Sequence, residues 1–420
     1  MFKDDELKLL WPFYLMTLFS SFFSVVQPIW IAFFHHKFSF LQISIALSLQ
    51  GVSLILFEAP TGSIADLFGR KLSVVSGIIL QGVAWIALAF VNLPFYLYLF
   101  FFLMGLARTL ESGADKAWMI DWLKDNKKDT LIHDMFIKMQ SLNRAGSALG
   151  LLFSTVLLFI LDMKYLFLIQ GAGLLLTGFF LLFVAKEKAH RIKSTMKENF
   201  GEALQNLRAG STLLLKNKSL LYMSLATALV SLTLDVAIVS WQPLLIALSM
   251  PAKYLGIIYS LANLIGIIIP FFTKKLLRLM GQENIYLAVT TFIQFIILLS
   301  LCLVEKPLFL FGVFIFLMIE FTRDLQLPID YMYSQSFMPS AIRATSSSIQ
   351  SVIAIIFSTI GLVAAGQIMD KTGPKMTMIY FSFLMIPATS LYLISKTGEK
   401  ALPCSNNTPT PLSDRLHSSP

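Results

Sequence analysis

Ionisable side chains stand inside several long apolar runs of this chain, where an Arg, Lys or Asp at the centre of a lone bilayer-crossing helix costs about 2.5–3.5 kcal/mol. One run reads Arg108-Thr109-Leu110-Glu111-Ser112-Gly113-Ala114-Asp115-Lys116-Ala117-Trp118. With about 100° between successive residues, an unbroken helix here presents Arg108, Glu111, Asp115, Trp118 and Trp122 within an arc of about 80°. The next run carries Gln140, Asn143, Arg144 and Ser147 on a single face, so the two helices are expected to exchange ion pairs. A later run holds Glu320, Arg323 and Asp324 at spacing i, i+3, i+4, and Asp235 lies near the middle of another with no basic residue on its own helix. Charges so placed must face a shared interior, where acids relay protons and polar groups hold a solute. Quieter readings stand beside these: Asp235 as the acceptor of an interhelical hydrogen bond, and Glu320, Arg323 and Asp324 as a self-neutralised ion cluster.

Two further groups complete the candidates. Glu58 stands eight residues before Asp66, about 12 Å deeper along a helix, where it either faces the interior or supports the loop that follows. Gln27 and Trp30 beside Pro28, and Trp241 and Gln242 beside Pro243, offer amides and indoles able to hydrogen-bond and stack a small organic solute; proline-kinked helix packing is the alternative. Asp235, Glu111, Glu320 and Glu58 are therefore candidates for proton coupling. Gln27, Trp30, Arg108, Asp115, Asn143, Arg144, Trp241, Gln242, Arg323 and Asp324 are candidates for lining a cavity.

The elements that must position these residues follow from composition. Of 420 residues, 56% are hydrophobic and 14% charged, against roughly 25% charged in a soluble domain, and the mean hydropathy is +0.73. At about 20 apolar residues per crossing, the length accommodates some twelve helices and leaves little for any globular domain, which argues against a sizeable soluble enzyme domain. Apolar stretches fall at 9–34, 41–61, 72–91, 95–122, 138–161, 165–185, 219–249, 254–273, 284–304, 308–328, 344–369 and 376–395. The fold class is thus an all-α polytopic membrane protein, with six-helix bundles at 9–185 and 219–395. A short terminus at 1–8 precedes them, and a basic amphipathic linker at 186–218, with a surface helix near 198–207, joins them. The Pro-, Ser-, Thr- and Asn-rich tail at 396–420 is expected to be disordered.

Orientation follows from the basic residues. With the amino terminus inside, cytoplasmic segments hold 22 Lys and Arg against 6 in the opposite loops, which predicts both termini in the cytoplasm. The net charge of +9 has the same origin and does not imply nucleic acid. An internal repeat is also visible: Gln27-Pro28-Ile29-Trp30-Ile31-Ala32 recurs as Gln242-Pro243-Leu244-Leu245-Ile246-Ala247, and the same offset of 215 carries Arg108 onto Arg323 and Asp115 onto Asp330. Two halves that enter the bilayer from the same side are parallel repeats about an axis along the membrane normal.

Between the second and third stretches stands Gly62-Ser63-Ile64-Ala65-Asp66-Leu67-Phe68-Gly69-Arg70-Lys71. It resembles the signature loop of the major facilitator superfamily, although Leu67 replaces the arginine often found after the aspartate. Weaker echoes occur at Lys274, Arg278 and Gly281, and at Gly366, Asp370, Gly373 and Lys375. With twelve helices, a central linker and a repeat, the resemblance covers residues 9–395. It implies that Asp66 caps the start of helix 11 near 344–348, that Arg70 pairs with Asp121 at the inner end of helix 4, and that Gly62, Asp66, Gly69, Arg70, Lys71 and Asp121 form a gate. An ordinary surface turn with positive-inside charges is the alternative.

Several chemistries drop out. No GxxxxGK[ST] loop is present for nucleotide hydrolysis, and no HExxH; the five histidines fall in loops or tails. Two cysteines, Cys302 and Cys404, give neither a disulfide framework nor a ligand pair, so no cofactor and no metal are implied. The expected activity is secondary transport of a small organic solute by alternating access, coupled to protons, in a bacterial inner membrane. Efflux leads; uptake of a nutrient or siderophore is the rival, followed by a receptor or channel. A monomer is expected, with the solute, protons and the lipid bilayer as its partners.

Overall fold

The computed structural model describes residues 4–187, 211–212, 214–305, 308–338 and 343–395; the expected surface helix at 198–207 and the tail at 396–420 lie outside them. Hydrocarbon offers the backbone no hydrogen-bond partner, so a chain crossing it must close its bonds within helices. The described residues contain no strand. They form the twelve spans expected, numbered here in chain order: span 1 is Asp4–Phe22 with Trp30–His35, span 2 Phe40–Phe68, span 3 Arg70–Leu88, span 4 Pro94–Glu111 with Ala114–Asp125, span 5 Ile132–Leu158 and span 6 Met163–Val184. Span 7 is Lys218–Ala247, span 8 Leu255–Met280, span 9 Glu283–Leu299 and span 10 Phe309–Ser336. Spans 11 and 12 run through Arg343–Ser382, interrupted at Gly373 (φ 80°, ψ 168°), and continue in Met385–Ile394.

Spans 1–6 and spans 7–12 pack as two bundles, and the seam between them is made chiefly where span 2 lies along span 11 and span 5 along span 8. These contacts are equivalent under the internal repeat, since span 8 is the counterpart of span 2 and span 11 of span 5. Small residues let the backbones meet. A Cβ added at Gly366 would lie 2.6 Å from Ser44 Oγ and 2.8 Å from the Phe40 carbonyl, and one at Gly256 would lie 2.6 Å from the Leu151 carbonyl.

Two spans break inside the membrane. Span 1 unwinds between Phe22 and Trp30, where Pro28 has no amide to give a helix. The amides released there find side chains instead: Val26 N donates to Gln170 Oε1 at 2.8 Å, while Ile31 N and Ala32 N donate to Gln242 Oε1 at 3.1 and 3.3 Å. Span 4 breaks at Ser112–Gly113, with Gly113 at φ 79°, a left-handed conformation that glycine adopts at no steric cost. The unbroken helix expected through 95–122 is therefore corrected to two half-helices. Its single stripe is lost: Trp118 is buried against Phe13 and donates to the Lys186 carbonyl, and Trp122 donates to the Leu9 carbonyl.

Candidate functional site

Adjoining cavities occupy the centre of the molecule. The first, about 430 Å³, lies between spans 1, 2, 3, 4, 6, 7 and 8; it is lined by Gln27, Trp30, Arg108, Glu111, Asp235, Trp241 and Gln242 among others. The second, about 370 Å³, is more polar and holds Asn143, Arg144, Glu320, Arg323 and Asp324. Both share Ser20, Ser24, Gln27 and Tyr259. A third, about 200 Å³, contains Asp115 and shares Glu111 with the first and Asn143 with the second. Charges scattered from residue 108 to residue 324 thus line one chamber at the bundle interface. Glu58 is the exception: it is exposed and lines none of these cavities, a correction to its expected place that follows from its direction on span 2.

The charges are paired only in part as the sequence suggests, with Arg323 on Glu320 and Asp235 in an interhelical hydrogen bond. Spans 4 and 5 do not exchange ion pairs among the described residues. Instead Arg144 on span 5 reaches across the seam to Asp324 on span 10 at 3.1 Å, and Arg323 grips Glu320 with two nitrogens at 2.7 and 3.0 Å. Glu111 takes a hydrogen bond from Gln81 Nε2 at 2.7 Å, and Asp235 accepts one from Ser358 on span 11. Arg108 makes no ion pair or hydrogen bond among the described residues, and its side chain is exposed to the chamber. Its repeat counterpart Arg323 is paired, so the duplication has diverged at the charges. Asp330, the counterpart of Asp115, is held by Thr227 and Tyr392 at 2.9 and 2.8 Å.

One end of the chamber is shut. On the face remote from the termini, Gln242 Nε2 donates to the Gln27 carbonyl at 3.0 Å, so the repeated glutamines meet directly; Gln242 spends both amide atoms on span 1. Gln27 Nε2 donates to Tyr259 Oη at 3.1 Å, and Trp241 stacks on Tyr259 and Phe316 at centroid distances of 5.4 and 4.3 Å. Asp370, at the remote end of span 11, accepts from Phe40 N and Leu41 N, while Ser39 and Gln42 form a capping box on the same helix start. Ser48 and Ser260 donate across the seam to the carbonyls of Thr359 and Ala148. Every hydrogen bond or ion pair between the bundles among the described residues lies in this remote half or at mid-depth with Arg144.

At the termini face the signature loop is assembled within one bundle. Arg70 is ion-paired with Asp121, and Lys71 Nζ donates to the carbonyls of Leu182 and Ala185 at the end of span 6. Gly69 takes φ 106°, and the new helix starting behind it is capped by Glu187, whose carboxylate accepts from Arg70 N at 2.7 Å and Lys71 N at 3.2 Å. Gly62 leaves open space beside it. Asp66 makes no hydrogen bond or ion pair among the described residues. The side chains at 344–348, where its expected helix partner begins, lie outside them.

Sequence reasoning misses Gln50, Gln81, Gln170, Glu187, Tyr259 and Ser358. The glutamines carry the one available signal, an amide inside an apolar run; Glu187 sits among linker charges and carries none.

The family model for the Major Facilitator Superfamily matches residues 10–355. The chain belongs to that superfamily. A Bacillus subtilis (strain 168) protein named as the uncharacterized MFS-type transporter YxaM is 24% identical over 403 residues, covering 91% of this chain and 96% of the relative. Among solved structures, a variant of the nucleoside transporter NupG superposes with a TM-score of 0.76 at 14% identity, covering 92% of this chain and 99% of that one. A bacterial homologue of the human lysosomal transporter Spinster, inward-facing and unoccupied, gives 0.75 at 14% identity over 96% and 100% of the two chains. Superfamily membership makes this an integral membrane transporter with a twelve-helix fold, not an enzyme.

Proposed function

We propose that the protein is a secondary active transporter that moves a small organic solute by alternating access and couples the movement to protons. The observation that carries this reading is the shared chamber. Asp235 and Glu111 line it at membrane depth and Glu320 adjoins them, each held by a few polar groups that a change of packing would exchange. An acid whose surroundings alternate between water and protein takes up and releases protons as it moves. Glu58, outside the chamber, drops from this set. The positive-inside count supports placing the termini face in the cytoplasm, and on that reading the state with its remote face shut is inward-facing.

The gates support alternation. Gly366-x3-Asp370-x2-Gly373 at the end of span 11 repeats the spacing of Gly62-x3-Asp66-x2-Gly69 at the end of span 2, and both final glycines have positive φ. Spans 2 and 11 run antiparallel, so each ends in an aspartate near the other's start. Asp370 is engaged with span 2, and Asp66 makes no hydrogen bond or ion pair among the described residues. In the opposite state the roles reverse: Asp66 caps span 11, and Asp370 is released.

Proteoliposomes holding the full chain and an imposed pH gradient test the coupling. Solute flux should follow the gradient and collapse to passive levels in Asp235→Asn; flux indifferent to the gradient removes proton coupling. The sign of the gradient that accelerates flux assigns export or import.

A further inference from the structure

We infer that the cargo is an organic anion, and that Arg108 on span 4 with Gln50 on span 2 forms the subsite for its carboxylate or phosphate group. This rests on the transporter reading and names the chemistry of its cargo. The donors and acceptors of the larger cavity are unequally satisfied. Its acids already have partners, Glu111 from Gln81 and Asp235 from Ser358. Two of its donors do not: the Arg108 guanidinium has no acid within ion-pairing distance among the described residues, although Glu111 is only one turn away on the same helix. Gln50, 8% exposed, has an Nε2 with no hydrogen-bond partner, and both residues line the same cavity.

The two donors stand on helices in tight contact. Gly105, one turn before Arg108, lies so close to span 2 that an added Cβ would sit 2.5 Å from the Gln50 carbonyl. Ser20, lining the same cavity, adds an unpartnered hydroxyl. Unsatisfied buried donors carry a desolvation cost, and a free intramembrane guanidinium facing a cavity marks a binding function. A guanidinium fork matches the two oxygens of a carboxylate or phosphate. The walls suit an aromatic remainder of the ligand: Trp30 and Phe101, 5.8 Å apart between ring centroids with planes tilted by 42°, and Trp85 give the cavity aromatic walls on which a ring can pack, so the anionic group is carried on an aromatic body. Arg144 and Arg323 are excluded from this role because each already holds a carboxylate.

The test uses the purified full-length chain and the arginine reagent phenylglyoxal, with labelling of each arginine read by peptide mass spectrometry. Benzoate should slow labelling of Arg108 at least about fivefold relative to the same concentration of uncharged benzamide, and leave the exposed Arg278 unaffected. Gln50→Leu should retain labelling of Arg108 without ligand yet need roughly tenfold more benzoate for the same protection, the loss expected for one hydrogen bond to a charged group. Equal protection by benzoate and benzamide, or an Arg108 that does not react, overturns the proposal. A lipid headgroup is the other source of an anion. Protection in nanodiscs of phosphatidylcholine with phosphatidylglycerol, but not of phosphatidylcholine alone, would assign the subsite to lipid and overturn its role in binding a solute. Labelling in detergent requires neither a gradient nor flux, so failure here leaves proton-coupled transport standing.

Discussion

The carboxylate of Asp370 takes the amide of Phe40 at 2.8 Å, and its second oxygen takes the neighbouring amide of Leu41 at 3.0 Å. A charge on span 11 thereby neutralises the positive end of a helix in the other bundle. Such contacts are worth about 0.3–2 kcal/mol, enough to shift a two-state equilibrium several-fold but not to lock it. Asp370→Asn should open the remote face, lengthening spin-label distances across the span 2–span 11 seam, with the open fraction rising about fivefold for a loss near 1 kcal/mol. An unchanged distance distribution would show that Asp370 does not hold the gate.

The same seam depends on missing side chains. Since a Cβ at Gly366 meets Ser44 Oγ and the Phe40 carbonyl, and one at Gly256 meets the Leu151 carbonyl, Gly366→Leu and Gly256→Leu should block closure of the remote face. Transport should be lost in both, while membrane insertion and thermal stability in the opposite state are retained; cysteine accessibility from the remote side measures the trapped population.

Arg144 and Asp324 join the bundles at mid-depth. Removing either charge strands the other in a partly buried setting, so Arg144→Gln and Asp324→Asn should each destabilise the described state, and the double variant should cost less than their sum. A coupling of about 0.5–3 kcal/mol in a thermal-unfolding cycle is the expected outcome, and strict additivity would remove the pair from the gate.

Glu187 caps span 3 from outside the bundle. Glu187→Gln should weaken the cap by about 0.5–1 kcal/mol and accelerate hydrogen exchange at the Arg70 and Lys71 amides, without altering exchange at the start of span 2. Equal rates in both proteins would make the contact incidental.

Much of this architecture is legible in the sequence because hydrocarbon makes stringent demands. A run near 20 apolar residues can only be a helix, and the repeat of Gln-Pro at 27 and 242 relates the halves before any coordinates. The meeting of Gln27 with Gln242 is not legible, because it depends on how two bundles face one another. Nor is the break in span 4: Ser112-Gly113 is a turn dipeptide, but the apolar residues on both sides argue for continuation, and the positive φ at Gly113 decides against it. The pairing of Arg144 with Asp324 in place of a partner on span 4 has the same cause. Helical spacing says which residues share a face, and tertiary packing says what that face meets.

The unwound stretch between Phe22 and Trp30 bears on the cost of motion. A continuous helix that bends must strain or rupture its own ladder of bonds, whereas this joint has already surrendered amides to Gln170 and Gln242. Gln170 belongs to the same bundle and stays with the joint; Gln242 belongs to the other and departs when the halves separate. Opening the remote face therefore uncovers the amides of Ile31 and Ala32 to incoming water. Hydration of two peptide groups becomes part of each turnover, and deuterium uptake there during flux would report it directly.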